Sequence, residues 1–116
     1  MNRIALPIKN GLLSEYLGSQ DICRIFDIKD YMVVSVTNVT PEVDCDADIP
    51  AWAAKQGITD IVAFKIDKRL TTLFAGHKIN QYIGISTKDP DEIIKKYING
   101  ELKSDNKIID DILNQE

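Results

Sequence analysis

The stretch DICRIFDIKDYMVVSVTNV, residues 21–39, sets the character of the sheet. Its first half alternates: Ile22, Arg24, Phe26 and Ile28 point one way, and Cys23, Ile25 and Asp27 point the other. A period of two belongs to a strand. Lys29 and Asp30 offer a tight turn, and residues 31–39 are rich in β-branched side chains that suit a pleated partner strand. Two strands joined this tightly run antiparallel.

Upstream, RIALPI (3–8) is a short β-forming run with Pro7 toward its end. Downstream, TPEVDCDAD (40–48) reads as an acidic loop. A helix opens at Asp48 or Ile49, accepts Pro50 in its first turn and stops at Gly57. TDIVAFKI (59–66) is an apolar strand. Asp67 is placed to cap a helix carrying Leu70, Leu73 and Phe74 and ending at Gly76. KINQYIGIS (78–86) is a further strand. Asp89 and Pro90 open a helix with an apolar stripe of Ile93, Ile94, Tyr97 and Ile98 that closes at Gly100. Residues 103–107 form a linker, and KIIDDILNQ (107–115) carries Ile108, Ile109, Ile112 and Leu113 at helical spacing.

The order is β-β-β-α-β-α-β-α. Strands connected through a helix run parallel, whereas the first hairpin is antiparallel. The expectation is an α/β fold: a mixed five-stranded sheet with three helices, plus a short C-terminal helix. Residues 1–103 form the domain and 104–116 the linker and appended helix.

A chain of 116 residues is one domain by size. Its net charge of −4 argues against partners that attract cations, so neither a nucleic acid nor an anionic membrane is expected. No apolar run is long enough to cross a bilayer, and MNRIALPIKN lacks a signal-peptide core. The expected location is the cytoplasm. Cys23 and Cys45 show no metal or redox spacing and should be free thiols in a reducing compartment, although spacing alone leaves one bridge between them open. His77 is the single histidine. Asp44, Asp46 and Asp48 are spaced like the start of an EF-hand loop, but Ile49 stands where glycine is needed and Lys55 where glutamate is needed. No metal ligand set is expected.

The candidate site lies in NGLLSEYLGSQD (10–21), just after the first strand. In open α/β sheets ligands lie beyond the carboxyl ends of strands where the connections diverge. Loop 10–18 and loop 64–68 follow strands expected to be neighbours. Asn10 and Ser14 can hydrogen-bond, Glu15 and Tyr16 can line a pocket, Tyr16 can stack, Gly18 helps set the loop geometry, and Lys65 can offset an anionic charge. Asp67 opposes an anion.

Four phrases, IALPIKNGLLSEYLG, PAWAAKQGITDIVAFKI, LFAGHKINQYIGIS and DPDEIIKKYINGEL, in this order over roughly residues 3 to 103, resemble the dinitrogenase iron–molybdenum cofactor-binding family. That family includes NifX, the C-terminal part of NifB and NafY-like carriers. The resemblance implies a ribonuclease-H-like fold and a role in binding or carrying an iron–molybdenum or iron–sulfur cluster without catalysis. The family pattern S-E-H-F-G is Ser14-Glu15-Tyr16-Leu17-Gly18 here, so the residue expected to ligate iron is a tyrosine. The family's glycine-rich second loop is Phe64-Lys65-Ile66-Asp67 here. The expectation is therefore a non-enzymatic accessory domain with a degenerate ligand site that holds a cluster weakly or not at all. The alternative is a protein-interaction or regulatory module with a protein partner. A nuclease of ribonuclease-H type needs strand-borne carboxylates for Mg²⁺, and RIALPI carries none.

Overall fold

The computed structural model describes residues 1–18 and 21–114. Its strands are β1 (Asn2–Lys9), β2 (Leu12–Leu13), β3 (Ile22–Lys29), β4 (Met32–Val39), β5 (Asp60–Ala63) and β6 (Asn80–Ile83). Its helices are α1 (Ile49–Lys55), α2 (Lys68–Gly76), α3 (Pro90–Ile98) and α4 (Asn106–Leu113), with a 3-10 turn at Asp46–Asp48 before α1. The sheet runs β4-β3-β1-β5-β6, and β2 pairs with β1 beside this path.

The sheet is mixed, as the hairpin requires. β1 runs antiparallel to β3, with Ile4 opposite Phe26, and β3 antiparallel to β4. β1 runs parallel to β5, and β5 parallel to β6, because α1 and α2 carry the chain back between these strands.

Two details differ from the sequence reading. Among the described residues there are six strands, not five, because Asn10 and Gly11 both take positive φ (55° and 78°) and fold β2 back on β1, with Ile8 opposite Leu13. Positive φ at both central residues is the signature of a type I′ hairpin turn. The second turn lies at Asp30–Tyr31 rather than Lys29–Asp30. Both residues have positive φ (51° and 63°), and Lys29 pairs with Met32 across them. An aromatic residue in that region is unfavourable by about 1–2 kcal/mol, which is why the local preference of Tyr31 pointed to a strand.

The sheet carries a core on each face. Ala5, Ile25, Ile61 and Ala63 meet α1, α2 and α4 through Ile49, Ala53, Leu70, Phe74 and Ile112. Ile4, Leu6, Ile8, Phe26 and Val62 meet α3 through Ile93 and Ile94. β1 is central and covered on both sides, so Ile4 to Ile8 are all buried.

α4 packs into the first of these cores. Ile112 is buried and Ile108 and Ile109 lie against it. Gly84 is the seat: its φ is +80°, and a Cβ there would lie 2.7 Å from Asp105 Cβ and 3.0 Å from Ile108 Cβ. Only glycine permits both that backbone and that approach. Asp105 then caps α4 by accepting from the Lys107 and Ile108 N–H groups.

Candidate functional site

Loop 10–18 crosses the carboxyl end of the sheet from one core to the other. Leu13 packs in the α3-side core and Leu17 in the α2-side core. Between them the loop is held by backbone bonds to the segment after β5. Lys65 N–H donates to Glu15 C=O at 3.1 Å, and Leu17 N–H donates to Lys65 C=O at 3.2 Å, forming a parallel bridge between Tyr16 and Lys65. The adjacent parallel strands β1 and β5 deliver these two segments side by side, as the sequence predicts.

This crossing splits the predicted site residues between two cavities. The larger, about 690 Å³, opens on the α2 and α4 side and is lined by Tyr16, Gly18, Asp46, Lys65, Asp67 and Asp111 among others. The second, about 390 Å³, opens on the α3 side and is lined by Asn10, Ser14, Glu15, Phe64, Ser86 and Lys88 among others. Thus Tyr16, Gly18 and Lys65 come together, and Asn10, Ser14 and Glu15 come together, but the six do not share one chamber.

Several of these side chains are already engaged. Ser14 is buried; its hydroxyl donates to Tyr16 C=O at 2.8 Å and its N–H to Pro7 C=O at 2.8 Å, so it shapes the loop. Lys65 Nζ lies 3.9 Å from Glu15 Oε1, 5.7 Å from the Tyr16 ring centre and 5.5 Å from that of Phe64. Those contacts hold the ammonium against the loop. Gly18 does not take a positive φ, and a Cβ there would meet Asp46 only at 3.9 Å. The N-terminus of α2 is occupied by its own residue: Asp67 accepts from Arg69 N–H at 2.8 Å.

The larger cavity contains residues that sequence reasoning assigned elsewhere or did not single out. Asp46 comes from the acidic loop, and Ile108, Asp111 and Ile112 come from α4. The apolar stripe of α4 was visible in the sequence, whereas its docking beside Asp67 depends on the seat at Gly84. On the other side, Ser86 and Lys88 were read only as strand and loop, whereas Phe64 belongs to the predicted site loop 64–68. Leu13 N–H donates to Lys88 C=O at 2.8 Å, which ties the segment after β6 to the site.

No protein-family model and no curated protein matches the sequence. Solved structures do. A protein named PH0822 matches with 24% identity and a TM-score of 0.77, over 89% of this chain and 96% of that one. A protein of Methanocaldococcus jannaschii, provisionally named a dinitrogenase, matches with 21% identity and a TM-score of 0.74, over 89% and 94%. A protein of Thermotoga, provisionally named NifB and placed in the DUF35 family, matches with 15% identity and a TM-score of 0.64, over 90% and 93%. The chain has the fold of these dinitrogenase-like and NifB-like structures.

The resemblance in the sequence attaches an iron–molybdenum or iron–sulfur cluster to that fold, and the side chains here do not fit one. The larger cavity is lined by Asp46, Asp67, Asp111 and the Tyr16 phenol, and among the described residues no thiolate or imidazole lines it. Cys23 is buried in β3, with its thiol pushed up to about 12 by burial and then by Asp21. Cys45 lies on the acidic loop with Sγ 3.5 Å from Asp48 Oδ2, and His77 stands at the opposite end of α2, at its C-cap. Among the described residues no three His, Cys, Asp or Glu side chains converge as a metal site would require.

Proposed function

We propose that this chain is a non-catalytic accessory domain of the dinitrogenase-cofactor-binding type whose cluster site has degenerated. The fold shared with dinitrogenase-like and NifB-like proteins supports the accessory, cluster-binding lineage. The observation that carries the second half is the composition of the larger cavity. At the loop position where the resemblance calls for a histidine, Tyr16 lies against the Lys65 ammonium, and Asp67 places a carboxylate on the α2 N-terminus where an anionic cluster would bind.

The strand carboxylates support a non-enzymatic reading. Asp27 is held by Arg3 at 2.7 Å. Asp60 is buried and accepts from the Thr59 hydroxyl at 2.6 Å, the Tyr97 hydroxyl at 3.0 Å and Asn80 Nδ2 at 3.2 Å. Both are taken up by donors of the protein itself. The ribonuclease-H-like description of the sheet and a cytoplasmic location belong to the same proposal. Both cysteines are free, as a reducing compartment keeps them.

The test is anaerobic reconstitution with ferrous iron and sulfide, followed by gel filtration. The wild-type chain is expected to elute without stoichiometric iron. The Tyr16→His variant supplies an imidazole at an exposed position and is expected to retain more. Stoichiometric co-eluting iron with a charge-transfer band in the wild type would overturn the reading.

A further inference from the structure

Two Asn-Gly pairs occur in the chain, Asn10-Gly11 and Asn99-Gly100. A glycine after asparagine leaves the next backbone nitrogen unshielded by a side chain, so an unfolded chain treats the two pairs alike. Both asparagines are exposed. The fold nevertheless sets them apart. Asn99 caps the end of α3, where successive N–H groups are all engaged. Asn99 donates to Lys95 C=O at 3.0 Å, Gly100 to Tyr97 C=O at 3.1 Å, and Glu101 and Leu102 to Lys96 C=O at 2.8 and 3.2 Å.

Asn10-Gly11 forms the tip of the β1–β2 hairpin, with both residues at positive φ. Among the described residues the Gly11 N–H has no acceptor and the Asn10 side-chain amide has no partner. The hairpin pairs only Ile8 with Leu13 and Lys9 with Leu12, so local opening costs little and frees the Asn10 backbone to rotate. Asn10 also lines the smaller cavity together with Lys9 and Lys88, neither of which is paired with a carboxylate among the described residues.

We propose that Asn10-Gly11 is a site of spontaneous covalent modification, deamidation through a cyclic imide, and that the fold confines this chemistry to residue 10. The Gly11 backbone nitrogen attacks Cγ of Asn10. A new C–N bond closes the imide ring, the Gly11 nitrogen gives its proton to solvent, and the side-chain nitrogen leaves as ammonia. Water then opens either C–N bond of the ring. One opening gives aspartate; the other routes the main chain through the side chain and gives isoaspartate. No oxidant or cofactor is needed. At Gly100 the same attack must first release the N–H from Tyr97 C=O and unwind the end of α3. The carboxylate formed at position 10 lies among Lys9 and Lys88, which offset its charge. Isoaspartate lengthens the main chain within a two-residue turn, so the pairing of Lys9 with Leu12 is lost. The bond from Leu13 N–H to Lys88 C=O then loses its support, and the loop that borders both cavities loosens.

Ageing the full chain in mildly alkaline buffer, followed by peptide mapping with mass spectrometry, tests this. Residue 10 is expected to deamidate several-fold faster than residue 99, and the aged chain to accept methyl groups from an isoaspartyl methyltransferase at residue 10. In denaturing urea the two rates are expected to converge, because only the fold distinguishes the pairs. The aged chain, separated from the parent by ion exchange on its added charge, is expected to show amide NMR shifts at residues 8–15 and none at 97–102. Residue 99 reacting as fast as residue 10 in the folded chain, a rate ratio that persists unchanged in urea, or an aged product whose 8–15 amides do not move would each overturn the proposal.

Discussion

Lys65 and Asp67 act in opposite senses on any ligand in the larger cavity. The Lys65 ammonium offers a positive charge but is held by two aromatic rings and by Glu15, contacts worth roughly 0.5–1 kcal/mol each at an exposed site. Asp67 contributes an N-cap worth about 1 kcal/mol and sets a negative charge where the helix would otherwise attract an anion. Asp67→Asn separates these roles, because asparagine caps as well as aspartate without the charge. Stability is expected to change by less than about 0.5 kcal/mol in urea. In an NMR titration with inorganic phosphate, the amides of 10–18 and 67–70 are expected to shift further in the variant than in the wild type. Shifts confined to residues 40–48, or to α4 alone, would place anion binding elsewhere.

Among the elements, α4 and loop 10–18 decide the shape of the site. Ile112 is buried between α4 and the α2-side core, and its replacement by alanine is expected to cost about 2–4 kcal/mol, as for a core isoleucine. A urea midpoint nearly unchanged, within about 0.5 kcal/mol, would mean that α4 rests on the surface without joining the core. The amphipathic stripe of α4 is legible as sequence because helical spacing is local. Its destination is not, because the positive φ of Gly84 and the approach of Asp105 are a tertiary coincidence between distant positions. The same division of local and distant signal explains the other outcomes. The cap at Asp89 and the proline start of α3 were readable from adjacent residues. Asn10-Gly11 was a readable hairpin signal too, but the strand it turns into is only two residues long and offers no period. Asn10 and Tyr16 were assigned to one site because both lie in the loop that leaves the carboxyl end of the first strand. Leu13 and Leu17 insert into opposite cores, and that threading puts the loop between two cavities.

At the scale of the whole molecule, burial of proton-bearing groups on both faces couples stability to pH. The Cys23 thiol is held in β3 and pushed up to about 12, against 9.0 for the free group, first by burial and then by Asp21. Tyr97 and Tyr82 also hold their protons more tightly than a free phenol, chiefly through burial and then through the charge of Asp60. In each case the folded chain keeps a proton that the unfolded chain has released. The contribution is therefore fully present below the unfolded value and is lost as pH climbs from it toward the folded value. Stability should be flat up to about pH 8.5, then fall above the unfolded thiol value of 9.0, more steeply once the phenols begin to contribute near 10. One such proton gives a limiting slope of about 1.4 kcal/mol per pH unit. Urea midpoints between pH 8 and 11, taken with reductant in a Cys45→Ser background, measure the effect without intermolecular disulfides. Cys23→Ala should lower stability at pH 8 by about 1 kcal/mol through the lost side chain, yet flatten the decline between pH 9 and 10. If that variant follows the same slope as its parent over this interval, Cys23 does not control the alkaline limb, and the tyrosines around Asp60 carry it alone.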